Sequence, residues 1–367
     1  MSLANLQPNS SATNSTAPAA AAAPLRSPHI KTSLLEVTKI LPSKPPCRIF
    51  FKHENEQPSG SFKLRGIGHL VKQSIEKAQR SGVPLNKIHV FASSGGNAGL
   101  AAAYSAQFYK VACTVVIPTI AKPVIQAKLK SYGAKVILYG KSINEADQYL
   151  KGMISKVGDG VFPVYCHPFD NPNIWNGHSS LVDELVEQVG PDQRDKLKGL
   201  VCSFGGGGLY NGLYQGMVNN NVSGNVLLIE TAQAPTLNES IKANDIITLN
   251  DVNSLATSLA CSYTTRQSLQ YYQDTSSGVV SQLETIDDMD ALRACIAYRK
   301  CCNKIVEPAC GAALSVCYNR LDLLYKSSLS HLSQDDILVI VVCGGSCTTE
   351  SDLNQFETMV KKSETKL

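Results

Sequence analysis

Four segments carry residues whose types and spacing suit one chemistry. The first is residues 56–66, EQPSGSFKLRG, in which Lys63 follows the turn-forming Pro58-Ser59-Gly60 and stands beside Phe62 and near Arg65. Carbonyl chemistry needs an amine held where desolvation leaves some of it as free base. Alone, such a lysine is ordinarily a solvated surface residue. The second is Gly205-Gly206-Gly207-Gly208, between the apolar LVCSF and the helix-like LYNGLYQGMV. Four glycines let the backbone curl until several N–H groups share one target, and the following helix N-terminus adds positive charge, which makes a phosphate cradle. A bland strand–helix turn would explain one glycine but hardly four.

The third segment is residues 92–100, ASSGGNAGL, where an apolar strand ends in Ser93, Ser94, Gly95, Gly96 and Asn97 before a helix. Amides and hydroxyls at such a helix N-terminus suit a carboxylate ligand, although plain N-capping by Ser94 or Asn97 would look the same. The fourth is Cys343-Gly344-Gly345-Ser346 closing the run ILVIVV, where a buried cysteine is usually packing. No Walker loop is present, and Asn211 occupies the last glycine position of a dinucleotide fingerprint. Glu230 stands about where a ribose-binding acid would, so a nicotinamide enzyme is the natural rival.

These segments need strands and helices to position them. Short apolar runs at 47–52, 88–92, 112–117, 135–139, 200–203, 226–230 and 337–343 alternate with stretches of helical period at 98–108, 143–157, 179–189 and 209–218. That alternation predicts an α/β fold with mostly parallel sheets flanked by helices, in two domains. Residues 159–176, rich in Pro, Gly and Asn, read as the loop joining two units. The expected division is a disordered tail over 1–30, a large cofactor domain from 31–66 plus 171–360, and a small substrate-loop domain over 67–170. Open parallel sheets bind ligands beyond the carboxyl ends of their strands, where these turns fall.

Composition narrows the class further. Charged residues are only 17% of the chain, and 34 Lys+Arg against 30 Asp+Glu leave +4 with no long basic run. A polyanion binder would concentrate its positive charge, so nucleic acid is not an expected partner. No run approaches ~18 apolar residues, so no membrane span is expected. Twelve cysteines without a CxxC pair fit reduced thiols inside a cell better than a disulfide scaffold or a zinc site. The first thirty residues are acid-free and Ala/Ser-rich, with Arg26 as their one charged side chain. They lack the basic start and apolar core of a secretory signal, so the cytoplasm is expected, with the mitochondrion as the alternative.

Taken together and in order, the segments resemble the pyridoxal-phosphate enzymes of the tryptophan-synthase β-subunit fold (fold type II), and within them the short, catabolic L-serine/L-threonine dehydratases. The resemblance covers about residues 32–355 and rests on SGSFKLRGIGHL, SSGGNAGLAAAY, HPFDNPNIWNGHSSLVDEL, SFGGGGL, IETAQA, KIVEPACGAAL and VVCGGS. It implies that Lys63 holds pyridoxal phosphate as a Schiff base and removes the α-proton, with Phe62 against the ring and Asn97 on its 3′ oxygen. Gly205, Gly206, Gly207, Gly208 and the Leu209 amide would wrap the phosphate, and Cys343 would face the pyridine nitrogen, where a thiol favours β-elimination over transamination or racemisation. Ser93, Ser94, Gly95, Gly96 and Asn97 would receive the substrate carboxylate, Ser94 or the cofactor phosphate protonating the leaving hydroxyl. Glu230, with carbonyls near Ala234, would help bind a monovalent cation such as potassium.

The implied reaction converts L-serine to pyruvate and ammonia, and L-threonine to 2-oxobutyrate and ammonia, in a homodimer acting on a small amino-acid substrate. Alternatives are a serine racemase, another fold-type-II lyase, or a non-catalytic binding protein on the same fold. Racemases of this fold place an acid/base serine where this chain has Gly95, so racemisation should be minor. Roughly 15 residues follow the last matching block, too few for the regulatory domain of biosynthetic threonine deaminases. A degradative role is therefore expected.

Overall fold

Ten strands divide between two sheets in the computed structural model, which describes residues 24–365. In chain order they are β1 (Leu34–Glu36), β2 (Arg48–His53), β3 (Ile88–Ala92), β4 (Ala112–Ile117), β5 (Lys135–Leu138), β6 (Phe162–Cys166), β7 (Leu197–Ser203), β8 (Gly224–Thr231), β9 (Val279–Ile286) and β10 (Ile337–Val342). The larger sheet has the order β1-β2-β10-β7-β8-β9 and the smaller β5-β4-β3-β6. Every pairing is parallel except β1 with β2. Helices cover the sheets, giving the expected α/β architecture.

The apolar pattern explains the centres of both sheets. All six residues of β10, ILVIVV, are buried, as a parallel strand covered on both faces requires. It lies between β2 and β7, so Cys343 emerges beside the ends of both. In the small sheet, Val90, Val115 and Val164 pack under the helices Lys63–Arg80 and Asn97–Tyr109. Phe91 and Val116 face Ala146 and Leu150 of the helix Ile143–Ile154 on the other side.

Three expectations change. Residues 159–176 are not a plain loop: they contain β6 and the start of the helix Pro172–Val189. Pro163 and the surrounding turn residues hide a five-residue strand that pairs along all of β3. Strands β1 and β9 were not anticipated; β9, VVSQLETI, is an edge strand whose polar residues tolerate partial exposure. The tail expected over 1–30 must also be shortened. Pro28 is buried and a Cβ on Gly68 would meet it at 2.4 Å; Tyr109 donates to the Arg26 carbonyl at 2.7 Å, and Ile30 N–H to Gln57 at 3.0 Å. The rest of the tail, with the choice of compartment read from it, lies outside the described residues.

Candidate active site

The turns at the carboxyl ends of β3, β7 and β10 come together, and the four segments are joined there by hydrogen bonds and close contacts. Lys63 is the first residue of the helix Lys63–Arg80. Its segment is laced to the end of β10: Phe62 N–H donates to the Cys343 carbonyl at 3.2 Å, Gly345 N–H to Gly60 at 2.9 Å and the Ser346 hydroxyl to Ser59 at 3.1 Å. Lys63 Nζ donates to the Pro168 carbonyl at 2.7 Å. Desolvation holds its pKa below the usual lysine range, outweighing the opposing influence of Cys261 and Cys343. The positive end of its own helix acts in the same direction. Phe62 stacks obliquely on His178, 5.0 Å between centroids, and lies 5.1 Å from Lys63 Nζ.

The four glycines leave β7 and enter the helix Gly208–Asn219. A Cβ on Gly206 would lie 2.5 Å from the Phe169 ring, and one on Gly208 3.0 Å from the Phe169 carbonyl. Gly207 has φ +91°, and its Cβ would fall 1.9 Å from the Ser268 hydroxyl. The Thr264 hydroxyl beside it is buried without a hydrogen-bond partner. An orphaned donor beside a bare backbone cradle at a helix N-terminus fits a phosphate. Gly207→Ala should weaken cofactor retention at least about tenfold and lower stability by about 1–3 kcal/mol. Cofactor titration and thermal unfolding check both effects, and an unaltered affinity would contradict the cradle.

Pro168 and Phe169 join the two halves: the carbonyl of one takes Lys63 Nζ, and the ring of the next packs on Gly206. A reactive amine and an anion cradle therefore share one wall, a fit for pyridoxal phosphate. His167 completes the wall, its Nδ1 accepting from the amides of Phe169 and Asp170. Its proton therefore sits on Nε2, facing the Tyr263 hydroxyl at 3.2 Å. Burial lowers its pKa to about 4.

Asn97 begins the helix Asn97–Tyr109 and ties the turn to the larger sheet's loops. Its Nδ2 donates to Glu307 at 2.9 and 3.0 Å, while Oδ1 accepts from Ser346 N–H at 3.0 Å. Ser94, Gly95 and Gly96 are partly exposed, the Ser94 hydroxyl accepting from Gly96 N–H at 3.2 Å. Ser93 is buried and its hydroxyl donates to Asp147. Leu209 lies in the first turn after the glycines. Cys343 is buried, and a hydrogen bond to Cys310, then desolvation, push its thiol well above the usual range.

Glu230 and Ala234 lie at the end of β8 and in the loop after it, beside the glycine segment, to which this loop is tied by the Thr236 hydroxyl donating to the Gly205 carbonyl at 3.3 Å. The Glu230 carboxylate accepts 3.1 Å bonds from the amides of Leu237 and Asn238 at the start of the helix Thr236–Ala243. Burial outweighs those bonds and pushes its pKa up to about 7. The Ala234 carbonyl accepts from Thr236 N–H at 3.0 Å. Among the described residues no cluster of three His, Cys, Asp or Glu side chains could hold a metal, and no helix is long and apolar enough to cross a membrane. All twelve cysteines are free thiols.

Sequence reading missed Glu307, Pro168, Phe169, His167, Tyr263, Thr264 and Asp147. HPF and VEP stand in blocks already singled out, so Phe169 and Glu307 had a signal; Thr264 and Asp147 had none.

Comparison with known proteins agrees with this geometry. Residues 26–344 match the family described as "Pyridoxal-phosphate dependent enzyme". The chain is 40% identical to the catabolic L-serine/threonine dehydratase of Saccharomyces cerevisiae over 91% of its own length and 92% of that protein's. A fungal L-serine ammonia-lyase from Rhizomucor miehei superposes with TM-score 0.78 at 29% identity, covering 91% of this chain and 99% of the other. Maize serine racemase superposes at 0.74 with 25% identity, covering 92% and 93%.

Proposed function

The chain belongs to the pyridoxal-phosphate dependent enzyme family, and on that premise we propose that it is an L-serine/L-threonine ammonia-lyase, dehydrating and deaminating L-serine to pyruvate and L-threonine to 2-oxobutyrate. The observation that carries this is the shared wall at Pro168 and Phe169, which sets a desolvated amine beside an anion cradle.

When bound, pyridoxal phosphate supplies the electron sink for the bond broken at the substrate's α-carbon. Lys63 would carry it, and Gly205, Gly206, Gly207, Gly208 and Leu209 would hold its phosphate with Thr264. Asn97, Cys343 and Phe62 would fix its ring. Lys63 would also be the base: desolvation lowers the pKa of its amine and so favours the free base that takes the α-proton, and the Pro168 carbonyl, 2.7 Å from Nζ, orients that amine. The amides of the 93–97 turn, at the positive end of the helix Asn97–Tyr109, receive the substrate carboxylate. Ser94, half-exposed on that turn, delivers a proton to the departing β-hydroxyl. The β-hydroxyl leaves as water, and one water is taken back up when the carbon–nitrogen bond of the dehydrated product is hydrolysed to the 2-oxo acid and ammonia, so the reaction balances without an oxidant. The same reading carries a homodimer in the cytoplasm and a monovalent cation at Glu230.

Consumption of L-serine without added nicotinamide, with pyruvate and ammonia formed in equal amounts, is the expected result. No turnover by the cofactor-loaded protein would refute the proposal. Gly95 separates lyase from racemase. A Cβ there would meet nothing nearer than 3.6 Å, so a side chain fits and its absence is not imposed by packing. Gly95→Ser should therefore fold normally and raise D-serine formation from L-serine about tenfold over the parent; chiral chromatography of the products checks this, and D-serine at the parent level would count against an acid/base role for this position.

A further inference from the structure

The 93–97 turn contains two glycines, and a Cβ on either would meet nothing nearer than 3.6 Å, so neither is wedged in place and left alone the turn would sample many shapes. It is held at both ends by carboxylates. Glu307, just before the helix Pro308–Tyr318, accepts from Asn97, and also from the Ser258 hydroxyl at 2.6 Å and Cys347 N–H at 2.7 Å. At the other end Asp147, on the helix Ile143–Ile154, takes the Ser93 hydroxyl proton at 2.6 Å. Asp147 is itself fixed by two further partners. The same oxygen accepts from the Tyr165 hydroxyl of β6 at 2.7 Å, and the other oxygen pairs with Lys151 at 2.7 Å.

A serine hydroxyl has one proton. With that proton given to Asp147, Ser93 cannot also donate to a substrate carboxylate. The turn must then receive the carboxylate through its amides, which leaves the Ser94 proton for the departing hydroxyl, and Ser93 serves as its root. We propose that Asp147 is a positioning residue of this enzyme: by fixing Ser93 it holds the turn in the shape that accepts the substrate carboxylate, and so it sets the apparent affinity for the amino acid. The proposal rests on the reading of that turn as the carboxylate site.

The prediction is a split between kinetic constants in the cofactor-loaded enzyme. Asp147→Ala should raise KM for L-serine about tenfold and lower kcat by a smaller factor, since the group lost orders the turn that binds the carboxylate and carries Ser94 but itself touches no reacting atom. Asp147→Asn keeps an oxygen for Ser93 and should recover most of the loss. Ser93→Ala reads the same contact from its other end, and should raise KM by a similar factor even if Asp147→Ala does not fold. The double variant should be no worse than the worse single one, because both remove one interaction. Unchanged KM in either single variant, or additive effects in the double, would overturn the assignment. Inhibition by 3-hydroxypropionate, which has the carboxylate but no amine, should weaken in parallel with KM. If KM rises while that inhibition does not change, the turn does not read the carboxylate and the underlying reading fails instead.

Discussion

Lys63→Ala should lower L-serine turnover by about 10³-fold or more and abolish the visible absorbance of bound cofactor, while leaving the fold intact. The two halves of this expectation come from different observations. The chemical half follows from the desolvated amine beside the glycine cradle. The structural half follows from how little the Lys63 side chain does for the fold: among the described residues its one hydrogen bond is to the Pro168 carbonyl. Removing a desolvated amine from a helix N-terminus relieves as much as it loses. The thermal midpoint of the cofactor-free variant should therefore lie close to that of the cofactor-free parent. Lys63→Arg, which keeps a charge but offers no usable free base, should be as inactive as alanine. Turnover near the parent level in either variant would show that the reactive amine is elsewhere. A large loss of stability would show that Lys63 is a structural residue.

What was legible in the sequence tracks how local each signal is. The run ILVIVV announces a doubly covered parallel strand because each residue must be apolar. Four consecutive glycines mark a cradle because no other residue type permits such close approach, and the structure gives a physical reason at Gly206 and Gly207. Strand β6 was hidden because Pro163 and the surrounding Gly and Asn signal a turn, while its pairing with β3 is decided by tertiary contact. β9 was hidden because an edge strand needs fewer apolar residues. Lys63 by its own segment reads as a surface residue; only its company marks it as a candidate. Asp147 and Thr264 gave no sign, because their partners Ser93 and Gly207 lie more than fifty residues away in sequence. A contact between distant segments leaves no mark on the spacing of either one.

Arg65 shows how far a single local motif can conceal a three-dimensional arrangement, and it carries the largest expected effect on stability. Two residues beyond Lys63, its fully buried guanidinium makes paired hydrogen bonds to Glu54 at 2.7 and 2.8 Å, and to Glu184 with both bonds at 2.7 Å. Lys52, also buried, donates to Glu184 at 2.7 Å, to the Thr32 carbonyl at 2.9 Å and to Gln188 at 2.9 Å. Two cations thus balance two carboxylates, and the segment after the tail is fastened to the same cluster. Arg65→Met would leave the carboxylates with Lys52 alone, and should destabilise the protein by about 3–5 kcal/mol. Denaturant unfolding of the cofactor-free proteins measures this directly, and a loss below about 1 kcal/mol would mean that solvent or rearrangement compensates the charge.

The pH dependence should also change sign. In the parent, burial raises the pKa of Glu184, but hydrogen bonds and charge from Arg65, then Lys52, outweigh it and hold the carboxyl below its ordinary value. A depressed carboxyl contributes stability above its unfolded pKa of about 4.3 and loses it as pH falls through the folded value. Without Arg65, desolvation dominates and the folded-state pKa moves upward. The variant should then gain stability relative to the parent as pH falls from neutrality toward about 4.3, because its buried carboxyl takes up a proton before the unfolded chain does. Adding Glu54→Leu to Arg65→Met removes one uncompensated charge, and should restore part of the stability at neutral pH. A double variant no more stable than Arg65→Met, with the gap to the parent constant across that pH range, would show that Arg65 stabilises the fold by packing rather than by charge.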